Sequence, residues 1–137
     1  VPGTSVEWRL ECVHTKLKAN CGFPLLSPVF RLGDRLCLRL MFLPGEVWAA
    51  QQAKAHRKQL KRRAPGTEAP RGAVKLKATS PGAALPLRFY LFAGGRQQGP
   101  CYCDFSEHAV QGCDLDFDWL GQMDRSSDCL HLRLQFV

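Results

Sequence analysis

Apolar and polar residues alternate along several short runs of the chain, and three of these runs are especially regular. In "VEWRLEC" (6–12) the apolar and cysteine positions fall on one face of an extended chain, and the charged positions fall on the other. The runs "LCLRLMF" (36–42) and "LHLRLQF" (130–136) repeat the pattern. A period of two with one polar face is typical of a half-buried antiparallel strand. We therefore predict three strands that each bury one face.

Two further runs are strand candidates, and turn residues separate them from their neighbours. They are the short "AVKLKA" (73–78) and "LPLRFYLF" (85–92). Pro86 places the start of the second run at a sheet edge or just outside the ladder, because proline has no N–H to donate. The segment "AGGRQQGP" (93–100) predicts a loop. Short alternating strands separated by turns predict an all-β antiparallel sandwich or barrel.

One segment does not follow the strand pattern. Residues 46–66, "EVWAAQQAKAHRKQLKRRAPG", are rich in Ala, Gln, Lys and Arg, which favour helix, and Pro65 and Gly66 predict where the helix ends. Helical geometry places most of its cationic side chains on one face. We interpret 46–72 as an insertion within a single domain that spans 1–137: a basic helix followed by a flexible return to the sheet.

Length and composition are those of an ordinary globular domain. The chain has 137 residues, of which 45% are hydrophobic and 23% charged, so it can bury a core and does not have the composition of a disordered segment. No apolar run approaches the roughly 20 residues that a membrane-spanning helix needs. The chain begins at Val1 rather than Met, as expected of a processed protein or a fragment.

The net charge of +7 is concentrated in one place. Residues 54–63 carry six Lys or Arg and no acid, which leaves 13 basic and 12 acidic residues elsewhere. Residues 104–128 carry seven acids and one Arg. The chain is therefore polarised between one basic and one acidic segment.

Seven cysteines are many for a chain of this length. An odd number leaves at least one unpaired when the others pair within the chain. Several lie in apolar runs, where a reduced cysteine acts as a small hydrophobic residue. These features favour a reducing intracellular compartment over a disulfide-stapled secreted domain. An organelle, reached after removal of a targeting segment, is compatible with them.

The stretch "CYCDFSEHAVQGC" (101–113) is one residue short of a zinc knuckle. A zinc site would need four ligands, which would be Cys101, Cys103, His108 and Cys113. In an extended strand the first two cysteines share one face about 6.6 Å apart, and no turn between them brings both sulfurs to one ion. We therefore expect the first two in a strand, Cys113 in the next loop, and no metal or other cofactor. Zinc binding and a disulfide are the alternatives.

Motifs for catalysis and for calcium binding are not found. The sequence has no phosphate loop, dinucleotide fingerprint or nucleophile elbow. The acidic run "DLDFDWLGQMDR" (114–125) places Trp119 and Arg125 where a calcium loop needs Gly and Glu. We interpret it as an amphipathic strand or edge whose charges discourage edge pairing. The protein is expected not to be an enzyme, and a thiol enzyme is the weakest alternative.

The order of motifs resembles a MATH (TRAF-like) domain over most of the chain. The family has a Trp on its first strand, then an "SPxF" stretch, a short turn, an alternating apolar strand and a Pro-Gly stop. The sequence "LPLRFYLFAGG" is similar to the strand before the family's Gly-containing hairpin, and "SDCLHLRLQFV" is similar to its closing strand. The other matching residues are Trp8, Ser27, Pro28, Phe30, Gly33, Leu38, Leu40, Pro44 and Gly45.

The resemblance implies an antiparallel β-sandwich of seven or eight strands that binds peptides or partner proteins and is not an enzyme. Two features depart from the family: the basic insertion replaces a short link, and residues 101–113 are rich in cysteine. The family's groove residues cannot be assigned by a motif in this chain.

The expected function is a non-enzymatic protein–protein interaction module, or an accessory or scaffold subunit docked on a larger assembly, including one at an organellar membrane. A protein with an acidic surface is the first expected partner, and lipid headgroups or RNA are others, because Lys and Arg attract anions without sequence selection. No small-molecule substrate is implied. The candidate partner-binding residues are Lys54, Arg57, Lys58, Lys61, Arg62 and Arg63.

Two other interpretations of the basic segment are open. It could be a solvated face that partly neutralises the acidic segment of the same chain. It could also make the protein a nucleic-acid binder, together with the cysteine- and histidine-containing stretch. No aromatic residues interleave the basic run, which argues against base stacking on a single strand.

Overall fold

The computed structural model describes residues 3–20, 24–32, 36–48, 50, 71–79, 86–106, 108–124 and 126–137. Within these ranges lie eight strands, one seven-residue α-helix and a short 3₁₀ helix at Leu120–Gln122, and residues 46–48 are also helical. The main elements are β1 (Ser5–Leu10), α1 (Val13–Ala19), β2 (Leu25–Leu32), β3 (Leu36–Leu43), β4 (Ala73–Ala78), β5 (Pro86–Ala93), β6 (Arg96–Asp104), β7 (Val110–Asp114) and β8 (Leu130–Phe136).

The strands form two four-stranded antiparallel sheets. The first has the order β1-β8-β5-β6, and the second has the order β2-β3-β4-β7. Apolar side chains from both sheets share one core, so the chain is an all-β sandwich as predicted. The five alternating runs singled out in the sequence form β1, β3, β4, β5 and β8, but β1 ends at Leu10, and Cys12, which the pattern places on the buried face, is exposed. Pro86 begins β5 and pairs in register with Asp104 of β6. Since β8 pairs with β5 only from Phe89 onward, the proline lies outside the ladder on the β8 side alone.

Strict alternation fills the core. In β3, Leu36, Leu38, Leu40 and Phe42 are buried, and in β8 so are Leu130, Leu132, Leu134 and Phe136. Fully burying one such side chain stabilises the fold by roughly 1.5–3 kcal/mol. Aromatic rings complete the interior: Phe42 meets Trp119 edge-on at 5.1 Å between centroids.

The "SPxF" stretch forms a bulge in β2 that the sequence pattern does not reveal. The register between β2 and β3 shifts between Leu26 and Val29. At this point Ser27 is buried, and its hydroxyl accepts a hydrogen bond of 2.8 Å from the Leu40 N–H. The same hydroxyl donates to the Pro28 carbonyl at 2.7 Å. Ser27 therefore satisfies a β3 donor where the ladder is interrupted.

Helix α1 is not predicted by the sequence pattern. Only Val13 and Leu17, one turn apart, are buried on it, and seven residues are too few for a helix to be stable by propensity alone. The backbone N–H of Val13 donates to the Asp128 carbonyl at 3.0 Å. The Nδ1 atom of His14 lies 2.7 Å from an Asp128 carboxylate oxygen. Tertiary contacts therefore hold this helix, which connects β1 of one sheet to β2 of the other.

Three local expectations need correction. The loop predicted over 93–100 is shorter, because β6 already begins at Arg96. Cys113 lies in β7 rather than in a loop, so 101–113 runs from the end of the β5–β6 hairpin in one sheet to an outer strand of the other. The acidic run does not continue as a strand beyond Asp114, although Leu115, Phe117 and Trp119 alternate inward and are buried.

The predicted insertion is described only at its two ends. Residues 46–48 are helical, whereas 51–70, which include the basic run, lie outside the described residues. In the part of the chain that is described, no helix is both long enough and apolar enough to cross a membrane.

Ser27→Ala tests the role of the buried hydroxyl. The variant leaves the Leu40 N–H buried without its partner, so we expect the free energy of unfolding to fall by about 1–3 kcal/mol. Urea denaturation of the wild type and the variant measures this loss. Ser5→Ala, at an exposed serine of β1, is the matched control and should change stability by less than about 0.5 kcal/mol. Equal, small effects of both substitutions would contradict the assignment.

Candidate functional site at the margin between the two sheets

Strands β6 and β7 are the outer strands of different sheets, and they lie on the same side of the sandwich. We call this region, Arg96–Asp104 with Val110–Asp114 and the residues up to Phe117, the β6–β7 margin. The opposite margin, between β1 and β2, is spanned by α1. The inward positions of the β6–β7 margin hold polar side chains and thiols, whereas the centre of the sandwich is apolar.

Two glutamines hydrogen-bond across the β6–β7 margin. The Gln98 side chain donates from Nε2 to the Asp114 carbonyl at 2.9 Å and accepts at Oε1 from the Asp116 N–H at 3.1 Å. From the other strand, Gln111 Oε1 accepts from the Asp104 N–H at 2.9 Å. These bonds satisfy backbone groups that have no strand partner on that side, because β6 and β7 are each the last strand of a sheet.

A cation–π contact lies beyond the first glutamine. The guanidinium carbon of Arg96 is 5.5 Å from the centroid of the Phe117 ring, and Phe117 is itself buried. The exposed Arg96 side chain therefore covers an aromatic ring that belongs to the core. Together with the glutamines, it brings β6 against the segment that follows β7.

Three cysteines lie between the two glutamine bridges. Cys101 and Cys103 are on the inward face of β6 and belong to the buried core, and Cys113 of β7 packs partly buried against it. The side chains of Cys101 and Cys113 lie close enough for hydrogen bonding to be the largest influence on the pKa of each thiol. The structure thus brings together two cysteines that are twelve positions apart in the sequence and places Cys103 beside them.

The three thiols differ in acidity for identifiable reasons. The hydrogen bond from Cys113 lowers the pKa of Cys101, because it stabilises the thiolate. The same contact, reinforced by burial, raises the pKa of Cys113. Burial, with a smaller contribution from Cys101, raises the pKa of Cys103 to about 11. Cys101 is therefore the thiol of this cluster that most readily forms a thiolate.

The four residues of the knuckle-like motif are not gathered as one ligand set. His108 is exposed in the connection between β6 and β7. Among the residues that the structure describes, no three His, Cys, Asp or Glu side chains are placed to hold a metal ion. The arrangement that the structure does show is a thiol pair, with a third thiol nearby.

A second cysteine environment bears on thiol chemistry. Cys129 lines a surface groove of about 630 Å³ with Arg9, Asp124 and His131. Its thiol donates to the Ser127 carbonyl at 3.3 Å, and its sulfur lies 3.8 Å from Arg9 Nη2. Cys129 therefore has two hydrogen-bond partners, the Ser127 carbonyl that accepts from its thiol and the Arg9 guanidinium that donates to its sulfur.

The predicted partner-binding residues, Lys54, Arg57, Lys58, Lys61, Arg62 and Arg63, lie outside the described residues. The structure does show the base from which their segment leaves and to which it returns. Leu43 at the end of β3 pairs with Ala73 at the start of β4. Next to this pair the two backbone segments are so close that a Cβ atom on Gly72 would lie 2.0 Å from the Leu43 carbonyl oxygen.

Two tryptophans anchor this base. Trp48 is buried in the core only six positions before the basic run begins. Trp119, from the acidic segment, donates its indole N–H to the buried Pro44 carbonyl at 3.0 Å. The chain is thus held on both sides of the start of the insertion, by the hydrogen bond to Pro44 before it and by the burial of Trp48 after it.

No protein-family model matches this sequence, and no match to it is found among curated proteins.

Gln98→Ala tests whether the glutamine bridges stabilise the margin. Removing the side chain leaves the Asp114 carbonyl and the Asp116 N–H without this partner, so we expect a loss of about 1–2 kcal/mol in the free energy of unfolding. Gln97→Ala is the matched control, because the adjacent glutamine is exposed. Chemical denaturation compares the two variants, and a loss that is no larger for Gln98→Ala would argue against the bridge.

Cys103→Ala tests the buried thiol through pH dependence. The unfolded chain releases this proton near the ordinary pKa of 9.0, whereas the folded chain holds it to about 11. Between these values the unfolded state binds fewer protons, so the free energy of unfolding falls as pH rises, by roughly 2 kcal/mol for this group. We expect the variant to lose stability less steeply than the wild type from pH 9 to 11 and to run parallel to it below pH 9. Urea denaturation across the window measures both slopes, and parallel curves throughout would contradict the assignment.

Proposed function

We propose that the protein is a non-enzymatic interaction module of MATH (TRAF-like) type, in which segment 46–72 binds an acidic surface of a partner protein. The observation that carries the proposal is the anchored base of this segment. The segment leaves the end of β3 and returns to the start of β4 at paired residues, Leu43 and Ala73. Of the seven Lys and Arg residues in this connection between two central strands, six lie within 54–63.

The composition of this connection supports a role at the surface. Between positions 51 and 70 the only large apolar residue is Leu60, whereas 54–63 holds six cations without an acid. Such a run has too few apolar side chains to form part of a core, and its cations attract an anionic surface. By contrast, Trp48 just before it is buried, so the change from core to basic run occurs within a few residues.

An acidic protein surface is preferred over nucleic acid because the basic run has no aromatic residue for stacking on bases. The exposed acids after β6, which include Asp114, Asp116 and Asp124, repel any anionic partner that approaches them and do not distinguish the two kinds of partner.

The resemblance to MATH domains agrees with the fold at the level of architecture. The resemblance implies an antiparallel sandwich of seven or eight strands, and the chain has eight strands in two sheets. Several of the matching residues also have specific structural roles. Trp8 is in the core, Ser27 satisfies the bulge in β2, and the Pro44 carbonyl accepts the Trp119 indole. Family membership and an accessory role on a larger assembly are parts of this proposal.

A triple charge reversal tests the docking surface. Lys58, Lys61 and Arg62 are each changed to Glu, and the full chain is used to capture partners from its native source over a range of salt concentrations. We expect the variant to lose at least about ten-fold in binding to the captured partner, and we expect the wild-type interaction to weaken with salt. The matched control reverses Lys16, Lys18 and Arg88, which are exposed elsewhere, and should retain binding.

Two further probes separate the alternatives. Vesicles that contain anionic lipid and a single-stranded RNA are titrated with the wild type and with both triple variants. Weak binding to both probes agrees with a protein partner. RNA binding that is lost specifically in the basic-run variant would overturn the proposal in favour of a nucleic-acid binder. Unchanged partner binding in that variant would show that the basic run is only a solvated surface.

A further inference from the structure

The contacts across the β6–β7 margin fix which cysteines face each other. On one side, Gln98 of β6 bonds to Asp114 and Asp116. On the other side, Asp104 at the end of β6 bonds to Gln111 of β7. Strand β6 and the segment that faces it therefore run in opposite directions, so that residue numbers rise along one as they fall along the other. Halfway between the two bridges, this geometry places Cys101 opposite Cys113, in agreement with the influence of each thiol on the pKa of the other.

Cys103 is excluded from the same pairing by its position. It lies two residues further along the inward face of β6, where it is fully buried and pairs in register with the buried Leu87 of β5. Cys113, by contrast, is only partly buried at the rim. A small oxidant that reaches the margin from solvent therefore meets the Cys101–Cys113 pair before it meets Cys103.

We propose that Cys101 and Cys113 form a reversible dithiol–disulfide pair that fastens the open margin between the two sheets. The oxidant it takes is a peroxide. The inference depends on the contacts of the β6–β7 margin and is independent of the basic segment and its partner.

The reaction balances as a two-electron oxidation. The Cys101 thiolate attacks one oxygen of hydrogen peroxide, the O–O bond breaks, and Cys101 becomes a sulfenic acid as hydroxide leaves and takes up the proton that the Cys101 thiol released. The Cys113 sulfur then attacks the Cys101 sulfur and loses its proton, and the sulfenic oxygen leaves as water. Two thiols and one peroxide thus give one disulfide and two waters. A dithiol reductant reverses the change by thiol–disulfide exchange.

The acidities of the thiols suit this order of events. Cys113 lowers the pKa of Cys101 by hydrogen bonding, which favours the Cys101 thiolate as the attacking group. The pKa of Cys103 is raised to about 11, so this third thiol stays protonated and unreactive at neutral pH. The new bond needs the two sulfurs to approach to about 2.05 Å. Because the two side chains already face each other across the β6–β7 margin, they can reach this distance.

The expected consequence is a tighter margin. The bond closes a short loop between the end of one sheet and the edge of the other, and this restricts the unfolded chain. We expect oxidised protein to melt at a temperature higher by roughly 5–10 °C than reduced protein, and reduction should restore the original value. The pair would then report oxidising conditions as a change in the rigidity of one edge of the sandwich.

The experiment uses the full chain, reduced and then treated with hydrogen peroxide. Remaining thiols are alkylated before digestion and mass spectrometry. Trypsin alone leaves all three cysteines in one peptide, because no Lys or Arg lies between Arg96 and Arg125. Additional cleavage before Asp104 and Asp114 separates residues 97–103 from 104–113. We expect these two peptides to be linked, and chymotryptic cleavage after Tyr102 then shows which sulfur of 97–103 carries the bond.

Variants provide the controls. The link should persist in Cys103→Ala and disappear in Cys101→Ala and Cys113→Ala, whereas Cys12→Ala, at an exposed thiol outside the margin, should leave it intact. The chymotryptic assignment on wild-type protein decides the question even when a buried variant does not fold. A bond from Cys103, a bond between molecules, or no bond at all would overturn the proposal.

Discussion

Contact between two apolar strand faces determines the rest of this structure. Each central strand presents a buried residue at every second position, as in the Leu36–Phe42 stretch of β3 and the Leu130–Phe136 stretch of β8. Because the side-chain period of a strand is two, a slip of one residue would turn a whole apolar face toward water. Register is therefore strongly fixed, and local irregularities have to be absorbed without changing it. Ser27 does this at the bulge in β2, where its hydroxyl replaces a ladder partner for Leu40.

A sandwich of two open sheets also has two lateral margins, and in this protein different groups close each of them. On the β1–β2 side, α1 fills the space with Val13 and Leu17, both fully buried. On the β6–β7 side, glutamine side chains reach from one strand to the backbone of the other segment. Polar bridges satisfy the edge groups that apolar packing would leave unpaired. The thiol pair sits between these bridges, with Cys101 buried and Cys113 partly buried against the core.

Most of the fold could be predicted from the sequence because most of its strands have one buried and one solvated face. The exceptions have specific causes. Helix α1 has two buried residues and is held by contacts to Asp128, more than a hundred positions away, so no local signal announces it. Strand β2 carries a bulge at Ser27 and Pro28 that breaks the alternation. In β6 and β7, glutamine, glycine and cysteine occupy positions that a regular strand would give to leucine or valine.

The candidate site was harder to predict, because its contacts join segments of different sheets. The spacing of Cys101, Cys103, His108 and Cys113 is close to that of a metal-binding motif, but among the described residues these four side chains are not gathered as one ligand set. Metal-ligand spacing is a local property, whereas the Cys101–Cys113 contact follows from the crossing of the chain from β6 to β7. The role of Gln98 has no sequence signal at all, since its partners are the backbone of Asp114 and Asp116. For the basic residues 54–63 the charge pattern is the whole of the argument.

The position of the basic segment explains how one sandwich can carry it. Closing a longer loop between paired strand ends adds little entropy cost, since that cost grows only with the logarithm of loop length. The insertion therefore leaves the pairing of Leu43 with Ala73 undisturbed.

The base of the insertion is also joined to the acidic segment, because the Trp119 indole N–H donates to the Pro44 carbonyl. Acids such as Asp116 and Asp118, close to Trp119 in the chain, are thus held near the point from which the basic run departs. Under the proposed function, an acidic partner reaches the basic run from a base that lies beside these carboxylates. Because the Coulomb attraction falls with distance and with added salt, the proposal favours a partner with a dense acidic patch over one with a diffuse negative surface.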